Sequence, residues 1–194
     1  MPGGVLMGIL PFLMRSRLKW LAEIKLGVGK RTMRFNLVDR ILEVEPGRRI
    51  SMVKHLTLGE EYLADHFPTF PVMPGVLMLQ TLVEAGAWLL RITEDFSHSV
   101  IVLREAKNVK YGTFMEPGKT LVVTAELLDK ADSIDPNAAT FKGKGECEGT
   151  ATVSARVTLT RYNLRDRDPK LQSADDRIIT HLRGQYAVLR GQCD

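Results

Sequence analysis

The plainest pattern along the chain lies near its end. Ala151, Val153, Ala155, Val157 and Leu159 alternate with Thr150, Thr152, Ser154, Arg156, Thr158 and Thr160. A period of two without a slip predicts a strand with one face on a core. Residues 75–92 behave differently, because they hold no breaker except Gly86 and are apolar on almost every side. They predict one helix buried on all sides. Upstream, "FNLVDRILEV" and "RRISMVKHLTL" read as two strands joined at Glu45-Pro46-Gly47, a hairpin turn signal. After Ser99 the strand pattern returns in "SVIVLREAKNVKY", a turn at "MEPGKT", "LVVTAELL", a polar loop through "DSIDPNAA", and a last strand pair. The fold class that follows is α+β, with antiparallel strands curved around a single buried helix.

Residues 34–160 are expected to hold this domain, with extensions on both sides. In the first, 1–33, Leu13, Leu18, Leu21 and Ile24 recur at helical spacing with basic residues between them, so an amphipathic helix is expected from near Pro11, packed on the protein's own body. The run 5–14 is too short for a membrane span, and its charges follow the apolar part, unlike a secretory signal. In the second, 161–194, a helix is expected to open at Ser173, with the hydroxyl as cap and Asp175 and Asp176 favoured by the helix dipole. Ile178, Ile179, Leu182, Tyr186 and Leu189 would form the apolar face of this tail, packed on the domain or on a neighbouring subunit.

Composition narrows the function classes. With 44% hydrophobic and 26% charged residues, the chain of 194 falls in the ordinary globular range. Two cysteines, Cys147 and Cys193, are too few and too distant for a disulfide framework or a metal knuckle. A reducing, cytoplasmic compartment is expected, with both as plain thiols. A net charge of +4 and a pI near 9.1 favour an acidic partner. The basic residues are scattered, without the aromatic-interleaved runs of a nucleic-acid face.

The chemistry concentrates in "ADHFPTFPVMPGVLMLQTLVEAGAWLL", residues 64–90. His66 precedes prolines at 68, 71 and 74, which stiffen the loop and hold the imidazole as a general base requires. Pro74 is placed to be the first helical residue, and Gly75 behind it opens the free N–H groups of the helix start to a ligand oxygen. Gln80 and Glu84 stand four residues apart on one helix face. A carboxylate in so apolar a helix must be protonated, paired or hydrated. It serves as a proton donor, or it forms a buried hydrogen bond or an ion pair with a basic residue across a dimer. His55, His98 and His181 have no motif around them, and Asp65 reads as a solvated loop acid. Phe67, Phe70, Met73, Met78 and Trp88 are candidates for an acyl tunnel or simply for core.

"HFPTFPVMPGVL" resembles the signature of the (3R)-3-hydroxyacyl-acyl-carrier-protein dehydratases of fatty-acid synthesis, which have the hot-dog fold. "NLVDRILEVEPGRRI", "EAKNVKYGTFMEPGKTLVVTAELL" and "FKGKGECEGTATVSARVTL" resemble the family's other strands in the same order, so the likeness spans about residues 34–160. It implies a homodimer, or a trimer of such dimers, with active sites at the subunit interface, an acyl carrier protein as the partner that brings the substrate, and no cofactor or metal. His66 falls on the catalytic histidine. Gly75 falls where the thioester carbonyl is held, with Pro74, Val76, Phe67 and Tyr111 around the substrate. Two departures stand out. The family's helix carboxylate position holds Gln80 and its glutamine position holds Glu84, while Gly112 and Thr113 replace a basic pair that follows the aromatic Tyr111.

Three functions are therefore weighed. The first is dehydration of 3-hydroxyacyl thioesters, with His66 as base and the acid displaced one turn, about 5.4 Å, to Glu84. The second is a non-catalytic acyl-binding subunit that pairs with an active dehydratase. The third is a hot-dog thioesterase in which Glu84 activates water.

Overall fold

The computed structural model describes residues 36–67, 69–128 and 135–191. The helix expected near Pro11, Cys193 and residues 129–134 of the polar loop lie outside them. Six strands and two long helices follow in the order β1 (Arg40–Glu45), β2 (Arg49–His55), α1 (Gly75–Thr93), β3 (Val100–Tyr111), β4 (Thr120–Leu127), β5 (Ala138–Cys147), β6 (Thr150–Tyr162) and α2 (Gln172–Leu189). The strands form one antiparallel sheet in the order β1-β2-β4-β5-β6-β3, so β1 and β3 are its edges. The β1–β2 hairpin closes as its turn signal predicts, with Gly47 at φ 76° and the Arg48 N–H donating to Glu45 O at 3.0 Å.

Helix α1 packs against β2, β3, β4, β5 and β6, and the fully buried Leu82 and Leu89 each contribute about 1.5–3 kcal/mol by leaving water. Close approach depends on glycine: a Cβ on Gly143 would lie 3.0 Å from Leu82, and one on Gly86 would lie 3.2 Å from Phe141 and Leu159. Burial on all sides holds for most of Thr81–Leu90 but not for the first turn, where Val76 is 69% exposed. The sheet covers the later turns and leaves the helix start open. Although α1 is long and apolar enough to cross a membrane, over half of that stretch is buried inside the fold.

Two local readings are corrected. In β6 the alternation slips at its start, since Thr152 is buried and Ala151 exposed. The pairing moves from Gly145–Val153 to Glu146–Ala151, so Thr152 is the extra residue of a bulge, and a bulge reverses the faces. Helix α2 begins at Gln172, its N-cap is Leu171, and no side chain caps it, so Ser173 lies one residue inside. The capping serine is displaced because Pro169–Leu171 forms a 3-10 turn directly ahead, capped by Asp168 through the Lys170 N–H at 3.0 Å.

Helix α2 packs back on the end of α1. The Tyr186 ring lies 6.5 Å from Trp88 and 5.7 Å from Phe96, Arg183 sits over Phe96, and Leu182 and Leu189 join the core. Its anchor is Asp175, with no exposed surface. The Asp175 carboxylate accepts the N–H groups of Leu164 at 2.9 Å and Arg165 at 3.0 Å and the hydroxyl of Ser99.

Candidate functional site

The loop ahead of α1 holds His66 by its neighbours. The His66 N–H donates to Tyr62 O at 3.1 Å, the Phe70 N–H to Phe67 O at 2.8 Å, and the Met73 N–H to Met115 O at 2.9 Å. The imidazole Nδ1 lies 3.0 Å from the carbonyl of the buried Val72. A carbonyl only accepts, so the neutral ring carries its hydrogen on Nδ1 and leaves the Nε2 lone pair free. Phe67, beside it, adopts φ 55°, a left-handed conformation that costs a bulky residue energy, and its ring meets the imidazole edge-on at 4.4 Å.

Pro74 is the N-cap, with ψ 136°, and Gly75 is the first helical residue, one position later than the sequence predicts. The extended ψ keeps Pro74 outside the helix while its carbonyl accepts from Leu77 at 2.9 Å and Met78 at 3.1 Å. That leaves the N–H groups of Gly75 and Val76, in the first turn, without helical acceptors. Tyr111 lies against Gly75, where a Cβ would stand 3.1 Å from the ring. Phe67, Phe70, Val76, Tyr111 and Phe114 are all exposed, and Phe70 and Phe114 pack edge to face at 5.8 Å. By contrast, Met73, Met78 and Trp88 are buried core. Asp65 is exposed, as expected, and His55 and His98 bond to Thr120 and to Glu94 and Ser97.

Glu84 sits two turns into α1. Its Oε2 accepts the Leu37 N–H at 3.1 Å, and the Gln80 side chain hydrogen-bonds to it. Burial pushes this carboxyl up to about 7, against the opposing pull of the Leu37 N–H, the Gln80 amide and the positive charges of Arg91 and Lys54. The structure thus brings Gln80 and Glu84 together, and Gly75 and Tyr111 together. Among the described residues no hydrogen bond joins His66 to either Gln80 or Glu84.

A family model described as a FabA-like domain matches residues 30–156. The chain belongs to the FabA-like dehydratase family. It is similar to the 3-hydroxyacyl-[acyl-carrier-protein] dehydratase FabZ of Caldicellulosiruptor bescii, with 37% identity over 117 residues that cover 59% of this chain and 84% of that protein. The protein of the same name from Bacillus subtilis is 35% identical over 126 residues, 65% of this chain and 85% of its own length. Among solved structures, the dehydratase heterocomplex ApeI:P from Xenorhabdus doucetiae superposes with a TM-score of 0.55 at 16% identity, covering 70% of this chain and 89% of that one. These likenesses bear out the α+β hot-dog domain.

Within this family frame, sequence reading missed the groups around Glu84. Lys54 is only 4% exposed and pairs with Glu60 at 2.6 Å and Asp39 at 3.4 Å. The signal was present, because the β2 alternation Ile50, Met52, Lys54 carries a lysine onto the core face. Arg91, two turns beyond Glu84 on the same face, has its guanidinium 5.2 Å from the Trp88 ring centre, and burial lowers it to about 10 while Glu84 pulls it back up. The buried Tyr62 hydroxyl has no hydrogen-bond partner among the described residues, and burial with the nearby Glu60 and Asp39 charges pushes its pKa up. The Leu37 N–H left no signal, since 47 residues separate it from Glu84.

Proposed function

We propose that this protein dehydrates (3R)-3-hydroxyacyl thioesters, carried by an acyl carrier protein, to trans-2-enoyl thioesters for fatty-acid synthesis in the cytoplasm. It is a hydro-lyase that needs no cofactor or metal, and it works as a homodimer, or a trimer of dimers, with active sites at the subunit interface. Residues 34–160 carry the chemistry and 161–194 are an appendage. The free Nε2 of His66 takes the proton from C2 while the Gly75 N–H stabilises negative charge on the thioester oxygen. The C3–O bond then breaks with its electron pair on oxygen. The Glu84 carboxyl gives its proton to the departing hydroxide, directly or through a water that Gln80 orients, and water leaves. Pro74, Val76, Phe67 and Tyr111 hold the acyl group at the helix start.

The observation that carries this reading is the Glu84 carboxyl, which burial beside Gln80 pushes up to about 7, so that a proton is available near neutral pH. Gln80 itself has no proton to give. The Leu37 N–H at Glu84 favours a second reading, in which the carboxyl ties down the chain ahead of β1 and the protein binds acyl thioesters beside a catalytic partner. Hydration of a short trans-2-enoyl thioester, followed by loss of its conjugated absorbance, separates the two. Turnover that disappears in both His66→Ala and Glu84→Gln supports the dehydratase. A native protein that binds the thioester and leaves it intact supports the binding subunit, and release of free thiol marks a thioesterase.

A further inference from the structure

The outer face of the sheet carries a row of like charges. Lys142 of β5 stands directly opposite Arg156 of β6, and Arg156 directly opposite Lys107 of β3, all three exposed. Like charges abreast on adjacent strands repel and lower stability, so such a row is a cost to the isolated fold. A bulge adds to it. Lys110 is three positions beyond Lys107, an odd offset that would ordinarily point them to opposite faces, but Asn108 adopts φ 54° and the pairing shifts so that Lys110 faces Ser154. Lys107 and Lys110 therefore share the face of Arg156, and Lys144 reaches it from the other side of Ser154.

The acids nearby offset part of this charge. Glu105 pairs with Lys107 at 2.9 Å, Glu146 pairs with Lys144 at 2.6 Å, and Glu126 lies beside Lys142 between it and Arg49. Lys110, Lys142 and Arg156 have no ion pair with another described residue. The row also lies close to the helix start. Lys110 adjoins Tyr111, which rests on Gly75, and Lys107 is four residues, about 13 Å, back along the strand.

We propose that Lys107, Lys110, Lys142 and Arg156 form the docking surface for the acidic carrier protein that presents the thioester. The proposal rests on the dehydratase reading and places the carrier's contact on the outer face of the sheet. A carrier seated there holds its substrate arm about 10–20 Å from the helix start, by strand spacing and rise.

The test measures binding of an acyl carrier protein to the native protein and to Lys142→Glu/Arg156→Glu, with Lys170→Glu/Arg177→Glu on the tail as the charge-matched control. All four positions are exposed, and the thermal midpoint checks that each variant folds. We expect the outer-face variant to bind at least tenfold more weakly, the control to bind as the native protein does, and native binding to weaken as salt rises. Turnover of an N-acetylcysteamine thioester, which needs no docking, should be equal in all three. Native protein that does not bind the carrier, or an outer-face variant that binds as well as native, overturns the proposal. Carrier binding that depends on the row, without turnover of either substrate, leaves the docking surface standing and removes the dehydratase reading instead.

Discussion

Glu84 is a partly buried carboxyl and Asp175 a fully buried one, and both accept backbone N–H groups from outside their own helix. Their pKa values nevertheless move in opposite directions. Burial alone would raise Asp175, but the Ser99 hydroxyl and the N–H groups of Arg165 and Leu164 outweigh it, so Asp175 stays below its ordinary value. Glu84 has one backbone donor and the Gln80 amide, and burial wins. The number of donors decides whether a buried carboxyl is a permanent anion that ties elements together or an acid with a proton to give. The tail anchor belongs to the first kind and the helix site to the second.

The largest effect that could break this contrast is on turnover. Glu84→Gln should lower the rate of thioester hydration by about 10²–10⁴-fold, the usual scale for a lost general acid, while leaving a folded protein. Equal turnover would place Glu84 with Asp175 as a purely structural group. Next in size, Asp175→Asn puts an amide against donors that need an acceptor and should cost about 2–4 kcal/mol in chemical denaturation. Turnover per folded molecule should stay unchanged, and a loss of less than about 0.5 kcal/mol would contradict the anchor.

The smallest effect concerns pH. Because the folded Glu84 pKa lies above the ordinary 4.5, its stabilising contribution is full below pH 4.5 and is lost as pH rises through about 7. Asp175 works in the other sense, contributing above its ordinary 3.8 and losing that contribution as pH falls through its lowered value. Denaturation midpoints between pH 4.5 and 7.5 should therefore fall less steeply with pH in Glu84→Gln than in the native protein. Parallel curves would deny that Glu84 titrates in that window.

The elements were largely legible because each rests on local periodicity. An unbroken apolar run marked α1, two-residue alternation marked most of β6, and Glu45-Pro46-Gly47 marked the hairpin. What depends on pairing was hidden. The bulges at Thr152 and Asn108 reverse faces through an extra residue that alternation cannot reveal. Asp175 reads in the sequence as a first-turn acid on a helix dipole, yet its partners are Ser99, 76 residues away, and the turn at Leu164 and Arg165. The site divides the same way. The candidates His66, Gly75, Gln80 and Glu84 all come from a single motif, but the Leu37 N–H and the buried Lys54 near Glu84 come from the segment ahead of β1 and from β2, joined to it only by folding.

The most direct test of the contrast is a carbon-13 NMR titration of the side-chain carboxyls, with Glu84 assigned by loss of its signal in Glu84→Gln and Asp175 by loss of its signal in Asp175→Asn. A Glu84 midpoint near 7, with Asp175 still ionised at pH 3.8, is the predicted result. A Glu84 midpoint near 4.5 would leave the site without its acid and contradict the account.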